Sequence, residues 1–191
     1  MKLILAFLNN AAFAAFIGAF SAFMLVILND WRREWRIVST IKNEVEMNGE
    51  HAKGKLEALK MNRSALTEHN KVIPSPIIRF SADVIRALST SVLHRFSPDH
   101  RRALDALCYM MEATDDLLAD AHKTAERFRP GGGLSDSERP TISNELLAYY
   151  DDGITNMNRL IEMCEFYEKG KYKTILTKKY NVEDYVPPTS T

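Results

Sequence analysis

Hydrophobic positions follow two regimes along this chain. From Leu3 to Leu28 no side chain is charged, and residues 11–28 read AAFAAFIGAFSAFMLVIL. Beyond Leu28, apolar residues recur every three or four positions among charged ones. At 1.5 Å per residue the first stretch reaches about 39 Å, enough to cross a ~30 Å hydrocarbon core with some tilt. The collar NDWRREWR follows directly. A removable signal peptide would need a cationic start, a shorter apolar run and a small-residue cleavage site. Only Lys2 precedes this run, and its end, Val26-Ile27-Leu28, is bulky. The pattern predicts a retained transmembrane anchor over residues 1–30.

The anchor has two faces. At 100° per residue Phe13, Phe16, Phe20 and Phe23 share one sector, while Ala11, Ala14, Ala15, Gly18, Ala19 and Ala22 share the other. Ala14-xxx-Gly18-xxx-Ala22 and Ala11-xxx-Ala15-xxx-Ala19 are neighbouring threads of small residues. Such threads let helix backbones approach closely in lipid, where dispersion must drive association. They predict self-association, or docking on another membrane protein, with the phenylalanines towards lipid. Asn10 sits near the edge of the small face and Asn9 nearer the Phe side. Trp31, Arg32, Arg33, Trp35 and Arg36 suit the membrane–water interface. Because the cations gather behind the apolar run, the expected orientation is N-terminus out and C-terminal domain in the cytoplasm.

From Trp31 to about Asn70 the spacing predicts one juxtamembrane or stalk helix, spanning 31–70. Its seam would run through Trp31, Trp35, Val38, Lys42, Val45, Gly49, Ala52, Leu56, Leu59, Arg63 and Leu66, eight of them apolar. Gly49 and Gly54 weaken its middle, so a break or kink is expected near them. A helical bundle over 71–170 follows. Its first helix would start at Ser75-Pro76 and carry Ile77, Phe80, Val84, Leu88, Val92 and Phe96 inward. Ser97-Pro98-Asp99 repeats the start pattern for a helix to about Phe128, with Leu104, Leu107, Met111, Thr114, Leu118, Ala121, Ala125 and Phe128 on one face. After a flexible loop at 129–141, a last long helix runs from about Ile142 to Lys169. Leu146, Tyr150, Met157, Leu160, Cys164 and Tyr167 share its inner face. A basic tail, 171–191, is expected to form a short strand or helical turn and then end in disorder. The fold class read from this is all-α: an N-terminal transmembrane helix and a cytoplasmic up-and-down helical bundle.

Charge then narrows the partners. The chain is neutral overall; past Arg36, once four cations and two acids are set aside, 21 Lys and Arg face 23 Asp and Glu. That balance is no footprint for nucleic acid, and none is expected as a partner. The expected partners are membrane lipid, a second copy through the anchor, and an unidentified protein. Cys108 and Cys164 have no partner at metal-ligand or CxxC spacing and are expected to pack as reduced thiols.

Catalytic patterns are scarce. Glu112, Asp116 and Asp120 form an i, i+4, i+8 ladder that could bind a metal, but it lies opposite the apolar stripe of its helix. No Glu or Asp is followed three residues later by His, so the di-iron bundle pattern is absent. Gly131-Gly132-Gly133 follows a helix rather than a strand, unlike phosphate-cradling loops. His122 borders an apolar stripe and reads as packing. No metal or cofactor is expected.

Arg95-Phe-Ser-Pro-Asp-His100 and Arg63-Ser-Ala-Leu-Thr-Glu-His69 match the spacing of Arg and His in compact helical ribonucleases of the HEPN superfamily. That resemblance implies RNA cleavage. The Arg95 match departs from the family in spanning a proline turn and in placing Phe96 where a polar residue is usual. The overall layout, with its membrane helix, Arg-rich collar and Glu44-Val-Glu-Met-Asn48, resembles a loose group of uncharacterised prokaryotic and phage single-pass membrane proteins. Some membrane-anchored helical proteins of this build serve antiphage defence, which is analogy rather than a site. The leading expectation is a non-enzymatic, oligomeric interaction or sensing module in a bacterial inner membrane. A membrane-disrupting defence effector, in which Asn9 and Asn10 wet a pore, is the alternative.

Overall fold

The structure, a computed structural model, describes residues 11–73, 78–129 and 133–178, without the side chains of Ala11 and Ala12. Among these residues the regular structure is entirely helical. Five α-helices follow one another: α1 (Ala11–His69), α2 (Ala82–Ser91), α3 (Pro98–Phe128), α4 (Arg139–Glu168) and α5 (Tyr172–Thr177), with a 3-10 turn at Leu93–Arg95. Contacts divide the chain into two units, Met1–Thr40 and Ile41–Thr191. Asn9, Asn10, Ser75, Pro76, the 130–132 part of the glycine loop and the 179–191 part of the tail lie outside the described residues.

In the second unit, the part of α1 from Ile41 onward supplies one wall of the core. Ile41, Val45, Ala52, Leu56, Leu59 and Leu66 are buried, joined by Asn48, Gly49 and Asn62. Of the predicted seam, Val45, Gly49, Ala52, Leu56, Leu59 and Leu66 are buried and Val38 is half-buried, whereas Trp31 and Trp35, ahead of this unit, are exposed, and within it the seam slips at two positions. Lys42 and Arg63 are exposed, and the adjacent Ile41 and Asn62 take the inward positions. Both corrections have one cause: a long cation cannot be buried without a partner, and the neighbouring residue turns 100° into the core instead.

The expected break near Gly49 and Gly54 does not occur, since α1 is helical throughout. At Gly49 the reason is close packing. A Cβ there would meet the Cβ of Cys164 at 3.2 Å, so the α1 and α4 backbones approach through a missing side chain. Further along, Gly153 of α4 faces Leu59 of α1. Rising numbers on α1 thus meet falling numbers on α4, and the two helices are antiparallel. Helix α3 lies alongside α1 in the same sense: Lys55 pairs with Asp115, and Lys42 acts electrostatically on His100.

Helix α2 departs most from expectation. Residues 78–80 are not helical, and α2 starts at Ala82 behind Ser81, well past Pro76. Its inward residues are Ala82, Ile85 and Ser89, while Val84 is exposed. Tertiary partners explain the late start. The Phe80 amide donates to Asp115 Oδ2 at 2.8 Å and the Ser81 amide to Asn48 Oδ1 at 3.1 Å, which holds these residues in a non-helical lead-in.

The later helices follow their sequence patterns closely. Ser97 caps α3, its Oγ accepting from the His100 amide at 3.2 Å, with Pro98 in the first turn. Every residue of the predicted α3 stripe is buried except Leu118, which is half-buried. Helix α4 begins at Arg139, three residues before Ile142, with Pro140 in its first turn. All six predicted inner residues of α4 are buried. The chain then turns at Gly170, whose φ of +67° suits glycine, and forms the short helix α5, which buries Ile175.

Candidate functional site

The apolar part of α1 is the one helix segment among the described residues long and apolar enough to cross a membrane, and none of that window is buried. Phe16 is 64% exposed and Phe23 60%, with Phe20, Ile17 and residues 24–28 also exposed. Phe16 and Phe20 stack with centroids 6.3 Å apart. On the other face Ala14, Ala15, Gly18, Ala19 and Ala22 are exposed, and a Cβ on Gly18 would meet nothing within 4 Å. Ala11 is in the helix; its side chain lies outside the described residues. The helix therefore separates a small face from a phenylalanine face, and residues 14–28 are exposed on both. Behind it Trp31 and Trp35 contact edge-to-face at 5.9 Å, both exposed, beside exposed Arg32, Arg33 and Arg36.

In the second unit, buried Asn48 and the half-buried Glu44, Ser81, Lys55 and Asp115 meet where the chain enters α2. Asn48 Nδ2 donates to Ser81 Oγ at 2.7 Å and to the Glu44 carbonyl at 2.8 Å, while Ser81 Oγ donates to Glu44 Oε2 at 2.7 Å. The Glu44–Asn48 pair thus clamps the residue that precedes α2. One helical turn or two further along, Lys55 Nζ donates to Asp115 Oδ1 at 3.1 Å and lies 3.6 Å from the Phe80 ring centroid. The other Asp115 oxygen takes the Phe80 amide. Burial pushes the Lys55 pKa down, and the Asp115 charge opposes that shift. The two joints hold Phe80 and Ser81 against α1.

Glu44 and Asn48 were conspicuous in the sequence; their partner, 33 residues beyond Asn48, was not. Asp115 was missed because it sits among solvent-facing acids. Glu112 forks onto Arg86, with 2.9 Å between Arg86 Nη2 and Glu112 Oε2, and Asp120 pairs with Lys123 at 2.8 Å. Asp116 is exposed. A single step along α3 turns Asp115 inward, where Lys55 meets it. The acidic ladder is therefore a set of surface residues, and among the described residues no group of three or more His, Cys, Asp or Glu is placed to hold a metal ion.

The Arg/His spacings lead to two different places. His69 is exposed at the end of α1, and Arg63 pairs with Asp151 at 2.5 Å. His100 is buried in the first turn of α3, with Nε2 2.8 Å from the Tyr167 hydroxyl. Its ring stacks on Tyr172 at 4.0 Å and contacts Phe96 at 4.1 Å. Burial, assisted by the charge of Lys42, lowers its pKa to about 4, so the imidazole is neutral at pH 7. Arg95 is exposed in the 3-10 turn. Phe96 thus serves the aromatic enclosure of His100. His122 is half-buried, 3.7 Å from Glu126. Cys108 and Cys164 are buried free thiols, both pushed up to about 12 by burial, which keeps them protonated and poorly nucleophilic.

No protein-family model, curated protein or solved structure matches this chain.

Proposed function

We propose that this chain is a single-pass membrane protein whose helical unit works as a non-enzymatic interaction or sensing module. The supporting observation is the uncovered apolar segment of α1. A soluble helix with this composition buries at least one face, whereas residues 13–28 bury none against their own chain. A bilayer is the environment that removes all of that surface from water at once. In this reading the helical unit lies on the cytoplasmic side of a bacterial inner membrane with the N-terminus outside, an orientation supported by the cation-rich collar at Arg32, Arg33 and Arg36. Trp31 and Trp35 occupy the interface.

In this reading the small face (Ala11, Ala14, Ala15, Gly18, Ala19, Ala22) brings two copies together, since the phenylalanine face is too bulky for close helix approach. The continuous helix α1 then connects the contact in the membrane to the core of the helical unit. Gly18→Ile, tested in a membrane two-hybrid assay against Phe20→Ile, distinguishes the faces. Gly18→Ile should lower the association signal severalfold and Phe20→Ile should leave it unchanged. Association of Gly18→Ile at the wild-type level would refute the small-face contact.

A further inference from the structure

At the Ile41 end of the helical unit, several stretches of chain gather around His100. Lys42 of α1 acts on the His100 ring through its charge, Tyr172 of α5 stacks on that ring at 4.0 Å, and the Tyr167 hydroxyl near the end of α4 meets it at 2.8 Å. Phe96, just behind the 3-10 turn, completes the enclosure. This end therefore combines the entry of α1, the first turn of α3 with the connection before it, and the Gly170 turn with α5.

Its charge differs from that of the unit as a whole. Past Arg36 acids outnumber cations, 23 to 21, yet residues 93–102 carry three arginines against Asp99, and residues 169–178 carry four lysines and no acid. Carboxylates take up part of that excess. Lys169 pairs with Glu165 at 3.4 Å, Lys178 pairs with Glu162, and Lys173 lies 3.9 Å from Asp99. Lys42, Arg101, Arg102 and Lys171 remain. All four are exposed, and among the described residues none has a carboxylate within ion-pair distance. Arg101 is steadied by its Nε, which donates to the Phe96 carbonyl at 3.1 Å. Of the acids on this part of α1, Glu44 accepts from Ser81, and Glu46 acts on Glu168. The His100 ring feels the Lys42 charge with no carboxylate to offset it.

Leu93 in the 3-10 turn and Leu176 in α5 stand exposed at the same end. Basic side chains interspersed with exposed apolar ones suit a headgroup layer, which offers phosphates at its surface and acyl chains beneath. A bilayer is also within reach. Lys42 follows Arg36 of the collar by six residues, so the two can never stand more than about 20 Å apart.

We propose that this end of the helical unit is a lipid-docking face, on which Lys42, Arg101, Arg102 and Lys171 bind the phosphates of anionic phospholipids and Leu93 and Leu176 reach in between them. This docking rests on the membrane reading of α1. It holds the helical unit down on an anionic leaflet and releases it over a neutral one, so that lipid charge becomes a signal the unit registers.

Lysine acetylation footprints of the full chain test the docking, with the protein in vesicles of phosphatidylcholine alone or mixed with phosphatidylglycerol. Lys42 and Lys171 should react at least about fivefold more slowly in the anionic vesicles, the preference expected from one cation at such a surface. Salt at about 0.5 M should abolish the difference. Lys60 and Lys123, roughly 30 Å along their helices from Lys42 and His100, should react equally in both. The double variant Lys42→Gln, Arg102→Gln removes no hydrogen bond and should return Lys171 in anionic vesicles towards its neutral-vesicle rate. Equal rates for Lys42 and Lys171 in both vesicles, with the chain floating with each, would overturn the docking face and leave the anchor standing. Failure to float with neutral vesicles would remove the anchor and this face with it. Slowing of the same lysines by an added RNA oligonucleotide, with none by anionic lipid, would assign the face to a soluble polyanion and overturn the proposal.

Discussion

Helix α1 carries two kinds of apolar surface, and the contrast between its halves is instructive. Residues 13–28 are almost wholly apolar and none is buried, whereas residues 41–66 are richly charged yet bury an unbroken seam. Hydrophobicity alone therefore does not say what an apolar residue is for. The charged half obeys a 3-4 spacing because it packs on α3 and α4 along one side only. The apolar half varies around its circumference by size, alanine against phenylalanine, which is a distinction useful among lipid and neighbouring helices. Polar residues follow the same division: the second half buries Asn48 against Ser81, just ahead of α2, and half-buries Lys55 against Asp115 of α3.

If the first half is designed for lipid and the second for its own core, substitutions should separate insertion from folding. The largest effect is expected on insertion. Replacing Ala19 and Phe20 by arginine should disfavour it by about 3 kcal/mol per arginine and move the chain out of the membrane pellet. The melting transition of the helical unit should not shift. Retention of this variant in carbonate-washed membranes would break the distinction.

The second half is sharpened by Asp115→Ala, which leaves Lys55 in a half-buried site without its carboxylate and the Phe80 amide without an acceptor. A loss of about 3 kcal/mol is expected, the lower end for a broken buried pair because both side chains retain some solvent contact. Denaturant unfolding measures it; a change below experimental error would show that the joint is dispensable.

His100 adds a pH signature of similar or smaller size. Its folded pKa, about 4, is depressed from an ordinary 6.5, so the unfolded chain binds the extra proton between those values. Its contribution is complete above pH 6.5 and is lost as pH falls towards 4, a difference on the order of 2 kcal/mol. His100→Gln should flatten the stability profile in that window relative to wild type. Parallel profiles for the two proteins would contradict the assignment.

Two glycines of α1 give the smallest and most discriminating pair. Gly49→Ala forces a Cβ towards the backbone-proximal Cβ of Cys164, which cannot swing away, and should cost about 1–2 kcal/mol after the gain in helix propensity. Gly54→Ala meets nothing within 4 Å and should instead stabilise by about 0.5–1 kcal/mol. Equal effects at both positions in thermal melts would remove the close-approach explanation.

Helix class, the length of α1 and the limits of α3 and α4 were legible because they depend on local signals: periodicity, the Ser97-Pro98 start and the glycine-rich connection. The start of α2 was not. Ser75-Pro76 has good local start chemistry, but the contacts of Phe80 and Ser81 come from residues 33 to 35 positions away, beyond any local rule. The same is true of Asp115, indistinguishable in sequence from the surface acids around it. Gly49 and Gly54 look alike along the chain, and only the approach of Cys164 separates them. For the candidate membrane site, composition and facial pattern were fully visible; the structure adds that none of the described residues from 13 to 28 is buried.

Trp31 and Trp35 are the chain's two tryptophans, so its intrinsic fluorescence reports directly on the collar. Quenching by lipids brominated at different depths, on the unmodified protein in vesicles, tests the central claim. The account predicts efficient quenching that is strongest for bromines nearest the headgroups and weakens towards the bilayer centre, with only partial quenching by aqueous acrylamide. Full acrylamide quenching with no effect of any brominated lipid would place the collar in water and contradict the membrane assignment.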